Sequence, residues 1–193
     1  MTEFSTVWTA TDGADGSFFD TAETSTGEIV TINRNGINSA VKKYSSEGDL
    51  LWNHAVEREG GLDELTSISI DNDGSAYVGG RVTANLIPSY TPGQADPVSP
   101  PHGETYSGGG SDGFIRKLSS DGSEEWTTLI GDDGWDSVND LTFDRTNNVL
   151  YVTGSMEKSG TKDDPGIHTG VFLAKYTPDG GEIWWKPEHS PTI

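Results

Sequence analysis

Residues 115–126 read IRKLSSDGSEEW, and two other stretches of the chain repeat their pattern. Residues 41–52 are VKKYSSEGDLLW and residues 173–184 are LAKYTPDGGEIW. Each has an apolar residue, a lysine two positions on (Lys43, Lys117, Lys175), then Tyr or Leu, a polar turn with acid–Gly, and a tryptophan (Trp52, Trp126, Trp184). Trp8 starts the same downstream pattern once more. After each tryptophan comes a Gly-x-Asp step: Gly13 to Asp15, Gly61 to Asp63, and Gly134 to Asp136. An apolar strand follows, ELTSISID at 64–71 and SVNDLTFD at 137–144, then a hairpin, DNDGSAYVGG at 71–80 and DRTNNVLYVTG at 144–154. ETSTGEIVTIN at 23–33 fits the same hairpin, and Asp20 then takes the slot of Ile68 and Leu141.

Each unit therefore holds four strand candidates, in the second unit 64–71, 75–80, 112–118 and 123–129. Acid–Gly or Asn–Asn turns join them, because Gly, Asn and Asp tolerate positive φ. No stretch of ten or more residues carries a helical apolar period. Four antiparallel strands per repeat of this length predict an all-β, β-propeller-like fold. The reading is one repeat domain over 1–193: blades at about 15–55, 63–129 and 136–186, an extra N-terminal strand at 3–10, and a loop insert at 83–111. Propellers close with four to eight blades. Three blades and a strand imply a piece of a longer propeller, two copies sharing a ring of six, or a ring divided differently with strand 3–10 completing it.

The units resemble the SBBP-type β-propeller repeat of bacterial surface and secreted proteins. The resemblance rests on Trp52, Gly61 and Asp63, the 71–80 hairpin, the Pro/Gly-rich insert at 83–111 and SDGFIRKL at 111–118. It covers nearly the whole chain and is weakest in the first unit. It implies a scaffold in an extracellular or cell-surface setting and no defined catalytic residues.

Composition narrows the function classes. The 193 residues carry 31 acidic against 12 basic side chains, a net charge of −19. Nucleic-acid binding needs clustered Lys and Arg, which are lacking. The absence of cysteine excludes disulfides, zinc–thiolate sites and Cys nucleophiles. No apolar run approaches the length of a transmembrane segment, and MTEFSTVWTATDG has neither the basic nor the apolar region of a Sec signal peptide.

The densest acid cluster is Asp132, Asp133, Asp136 and Asp140, within GDDGWDSVND at 131–140. Calcium is the cation such a set would hold, since it takes six to eight hard oxygens. The spacing fits no standard calcium loop, and Asp136 belongs to the recurring Gly-x-Asp series, so the repeat reading is the stronger. Asp71-Asn72-Asp73-Gly74-Ser75 starts like a calcium loop but lacks the later bidentate acid, and a hairpin turn explains it. Ser155-Met156-Glu157-Lys158 matches S-x-x-K, but that chemistry needs a helix start and here a strand precedes it. The histidines show no metal-ligand spacing.

The insert 83–111 holds five prolines with Tyr90, His102 and Tyr106; a shorter insert at 156–169 holds His168 and lies on the same side. Long loops carry binding. Tyr90, Tyr106, Trp135, His102 and His168 are the candidate contact residues, with Trp185 beside them, because Trp135 and Trp185 break the repeat. Trp8, Trp52, Trp126 and Trp184 read as blade-packing residues. The recurring lysines read as stem packing with an ion pair to a turn acid.

The expected function is a non-catalytic scaffold or binding module for a protein or carbohydrate ligand. One rival is an assembly subunit whose open blade edges build a homo-oligomeric ring. The other is a hydrolase or lyase with carboxylates at the propeller opening, for which Asp20 and Asp140 are the inner-strand acids.

Overall fold

In the computed structural model the described residues are 16–35, 38–56, 64–82, 110–131, 133–158 and 168–189. The N-terminal strand 3–10, Trp8, Gly13, Asp15, Gly61, Asp63 and nearly all of the insert 83–111 lie outside them. The described chain is strands and turns only. Blade one contains β1 (Ser17–Glu23), β2 (Ile29–Asn35), β3 (Asn38–Tyr44) and β4 (Leu50–Val56). Blade two contains β5 (Glu64–Ile70), β6 (Ala76–Val82), β7 (Asp112–Leu118) and β8 (Glu124–Ile130). Blade three contains β9 (Ser137–Asp144), β10 (Val149–Lys158), β11 (His168–Tyr176) and β12 (Glu182–His189). Each blade is a four-stranded antiparallel meander in chain order. The shorter insert is briefer than the sequence suggests, because 156–158 and 168–169 extend β10 and β11.

Each of the six described hairpin turns has one residue at positive φ: Gly27, Gly48, Gly74, Gly122, Gly180 and, between β9 and β10, Asn148 at 55°. These turns share one end of the blades; the inserts share the other. Asp71 shows the turn chemistry: its Oδ1 accepts the N–H of Asp73 and of Ser75, each at 2.9 Å. Both bonds would compete with a cation for the same oxygen.

The repeated lysines and tryptophans are cross-strand partners, Lys43 with Trp52, Lys117 with Trp126 and Lys175 with Trp184. Superposing the blades on these pairs corrects one expectation. Asp20 pairs with Ile32, Ser67 with Gly79 and Asp140 with Thr153, so Asp20 shares its slot with Ser67 and Asp140. Thr21, not Asp20, is the counterpart of Ile68 and Leu141. The cause is a bulge at the same place in each first strand, at Phe19, Thr66 and Asn139, which interrupts the two-residue alternation.

The blades stack face to face in chain order, with β1, β5 and β9 as neighbours. Two apolar layers lie between them. Val30, Ile32 and Val41 of blade one pack on Ile68, Val78, Phe114 and Leu118 of blade two. Tyr77, Ile115 and Trp126, on the opposite face of blade two, pack on Leu141, Phe143, Val152 and Phe172 of blade three. Polar side chains stitch the first strands. Asp20 Oδ2 accepts the Ile68 N–H at 2.9 Å. Thr66 donates to the Val138 carbonyl and Ser67 to Asp140 Oδ1, each at 2.7 Å. Arg145 spans all three blades, donating to the carbonyls of Ile70 at 3.0 Å and Glu23 at 2.8 Å.

Candidate recognition cleft at the insert end

The stretch Gly131–Asp136 joins β8 to β9 at the insert end. Three chain segments meet there. The Gly110 N–H donates to the Gly134 carbonyl at 2.8 Å, and the Asp136 N–H to the Ser111 carbonyl at 2.8 Å. Ser111 Oγ returns a bond to the Asp136 carbonyl at 2.9 Å. Asp136 is 1% exposed, and its Oδ1 accepts the Glu157 N–H at 2.9 Å. A Cβ on Gly134 would lie 1.3 Å from the Glu157 carbonyl oxygen, so only glycine allows this approach. Gly134 and Asp136 are thus a frame that locks the end of β10 to the entry of β9.

The frame displays Trp135. Its indole covers Gly110 yet remains 54% exposed, more than an isolated core tryptophan would be. Beside it opens a cleft of about 300 Å³ whose lining includes Arg81, Trp135, Ser137, Ser155, Met156, Glu157 and Thr169. Arg81, next to last in β6, is aimed by a 2.6 Å ion pair with Glu64. Glu64 also holds Arg34 of blade one at 3.0 Å, so the guanidinium in the cleft is anchored through the blade one–two junction. The cleft therefore combines a rigid aromatic face, an oriented cation, a half-buried carboxylate at Glu157 and hydroxyl groups. That set can make stacking, charge-assisted and hydroxyl hydrogen bonds at once.

The described members of the acid cluster have separate partners. Asp136 faces Glu157, whereas Asp140 sits on β9, where its Oδ1 takes the Ser67 hydroxyl and its own Leu141 N–H at 2.9 Å. Asp133 is exposed in the connection and Asp132 is outside the described residues. Among the described residues no three Asp, Glu or His groups converge on a point that could hold a metal. Asp20 and Asp140, the acids offered for the opening, both serve junctions between blades. Ser155 and Glu157 of the S-x-x-K match lie on strand β10.

Tyr90, Tyr106 and His102 are outside the described residues; His168 starts β11 and pairs with Lys158 through the ladder. Of the contact candidates, Trp135 reaches the cleft. Trp185 does not: it stacks on Phe172 with centroids 4.2 Å apart and joins the blade two–three layer. Trp126 is buried and Trp52 packs on the blade one–two layer, while Trp184 remains half-exposed on blade three. Lys43 pairs with Glu28 at 2.7 Å and Lys117 with Glu125 at 2.8 Å. Sequence reasoning missed Arg81, Glu157 and Thr169. Their signal was positional: each is at or near the insert end of β6, β10 or β11, beside the repeat-breaking tryptophan.

No described helix is long and apolar enough to cross a membrane. Comparison with known proteins finds relatives that extend far beyond this chain. It is 28% identical over 185 residues to the regulatory protein FlaEY of Caulobacter vibrioides, covering 91% of this chain and 18% of that one. It is 25% identical over 174 residues to an uncharacterized WD repeat-containing protein, L264, of Acanthamoeba polyphaga mimivirus, covering 81% of this chain and 12% of that one. The chain thus spans less than a fifth of these relatives. Among solved structures, virginiamycin B lyase from Staphylococcus aureus aligns with 91% of this chain and 70% of its own at a TM-score of 0.32 and 12% identity. Residues 125–155, from the last strand of blade two through the Gly134–Asp136 frame into β10, match the beta-propeller repeat SBBP.

Proposed function

We propose that this chain is a non-catalytic propeller module that binds a protein partner through the insert end of blades two and three, with Trp135 as the central contact. The observation that carries this reading is the 54% exposed indole on a backbone frame locked at Gly134 and Asp136. An aromatic ring and an oriented arginine side by side are the residue types that concentrate binding energy at protein interfaces. A relative that bears the name of a regulatory protein, and another that bears WD repeats, support a protein ligand over a carbohydrate. The repeat resemblance supports an extracellular or cell-surface setting, which fractionation of the native cells would check.

The test is selection of a displayed random-peptide library on the immobilised chain and on Trp135→Ala. Enrichment on the first and loss on the second supports the reading. Equal enrichment on both, or competition by oligosaccharides alone, contradicts it.

A further inference from the structure

Glu64 and Arg81 face each other across the β5–β6 ladder at the insert end. The Glu64 carboxylate is shared: Oε2 takes Arg81 Nη2 at 2.6 Å and Oε1 takes Arg34 Nη1 at 3.0 Å. The two guanidiniums are not equivalent. Arg34 also donates to the Leu65 carbonyl and lies 3.6 Å over the Phe19 ring, with 21% of its side chain exposed. Arg81 keeps 43% of its side chain exposed, and among the described residues Glu64 is the one polar partner of that side chain. One carboxylate between two guanidiniums leaves one unit of positive charge. It falls on Arg81, the guanidinium that lines the cleft.

The other described arginines are committed to the fold. Arg116 donates to Thr127 and pairs with Glu124, and Arg145 donates to the carbonyls of Ile70 and Glu23. The ion pair with Glu64 engages one nitrogen of Arg81, whereas a guanidinium carries five N–H donors in a planar fork. Such a fork matches a carboxylate. The Trp135 indole lines the same cleft. Ring and fork together fit an apolar group that sits beside a carboxylate.

The remaining charges limit the anion to a single one. Glu157 lines the cleft from β10. A phosphate dianion or an acidic polysaccharide held by Arg81 would bring its further charge against Glu157 and Glu64, and one carboxylate would not. The chain as a whole, at −19, repels an acidic partner. Salt screens that repulsion beyond about 8 Å, so the charges at contact distance decide. The fitting segment therefore has one acidic side chain and is not otherwise acidic.

We infer that Arg81 sets the specificity of the cleft, and that the partner's segment carries an aspartate or glutamate beside the apolar residue that lies on Trp135. The inference rests on the reading of this cleft as a protein-binding site and adds the charge that the partner brings to it.

The displayed random-peptide library, selected on the parent chain, should enrich sequences that share one acidic residue. The most enriched peptide is then made with an amidated C-terminus, once as selected and once with the acid replaced by its amide, and both are titrated by fluorescence anisotropy. The replacement should weaken binding about tenfold on the parent and less than about twofold on Arg81→Gln. Arg81→Gln leaves Glu64 paired with Arg34, and its thermal melt serves as the control for folding. Selection on Arg81→Glu should enrich basic residues instead of acidic ones. Peptides that need Trp135 but show no acidic preference overturn this inference and leave the binding cleft standing, and so does an equal loss on parent and Arg81→Gln. Binding that appears only with a free C-terminus transfers the Arg81 contact to a terminal carboxylate and overturns the side-chain assignment. No enrichment on the parent overturns both readings.

Discussion

Blade two has a neighbour on each side, and the two junctions are built differently. Toward blade one the contact is mostly aliphatic, with Phe114 its one fully buried ring, and is pinned at the turn end by Lys43, Trp52 and His54, which reach the carbonyls of Ser120 and Gly122. Toward blade three it is aromatic, with Tyr77 stacked on Phe143 and edge-on to Trp126 at 6.0 Å. Hydroxyl side chains of β5 then grip the backbone of β9. The difference shows that the repeat fixes the slots and leaves the chemistry filling them free. At the first junction the tryptophan Nε1 finds the Ser120 carbonyl. At the second, the equivalent Pro178 carbonyl accepts the Tyr77 hydroxyl at 3.1 Å, and the buried Trp126 Nε1 has no partner in the described structure.

The largest test breaks the aromatic junction. Tyr77 is fully buried, and burial together with the Asp71 carboxylate beside it pushes its phenol pKa far up, so it stays a neutral donor. Tyr77→Ala removes the central ring and should destabilise the fold by about 3–5 kcal/mol, read as a lower urea midpoint. Gly122→Ala strikes the other junction. It forces a side chain into a φ of 87° and into the Trp52 ring, and should cost about 1–3 kcal/mol in the same assay.

A finer comparison uses the indole nitrogens. Trp52→Phe deletes a hydrogen bond and should cost about 1 kcal/mol for that bond on top of lost packing. Trp126→Phe deletes a buried donor without a described partner, so relief of that donor offsets part of its packing loss. Denaturant midpoints of the pair should rank in that order for equal loss of buried area.

The blade one–two junction should also be the pH-sensitive one. Burial first, and then the Arg116 charge, hold the His54 pKa below its ordinary value of about 6.5, against the opposing pull of Glu124. The unfolded chain therefore takes up the proton at a higher pH than the folded one. The stability is fully present above about pH 6.5 and is lost as pH falls below it. His54→Gln should flatten this part of the melting-temperature profile between pH 7.5 and 5 relative to the parent. The smallest expected effect is that of a calcium chelator, which should leave the melt unchanged, since Asp136 and Asp140 are each occupied by protein donors.

Much of the fold was legible in the sequence because its signals are local and repeated. The acid–Gly turns, the Lys–Trp spacing and the alternating strands each specify geometry within a few residues. Asp20 was misplaced because a bulge is a one-residue defect in periodicity, and the adjacent Phe18 and Phe19 offer two ways to align the strand. The site was legible only at its most unusual residue. Trp135 stands out as a break in the repeat, but Arg81 and Glu157 are ordinary strand residues until three segments fold together. Trp185 also broke the repeat, and nothing local distinguishes an indole that packs on Phe172 from one that faces solvent.

The most direct test of the account separates display from frame within two adjacent residues. Trp135→Ala and Asp136→Ala would each be carried through a thermal melt and the peptide selection. Trp135 should be needed for binding and nearly dispensable for stability, so its variant melts like the parent and enriches nothing. Asp136→Ala leaves the Glu157 N–H without its buried acceptor and should lose about 1–3 kcal/mol. The opposite pattern, a Trp135→Ala chain that is destabilised yet still captures the parent's peptides, would contradict the assignment of Trp135 as the contact residue.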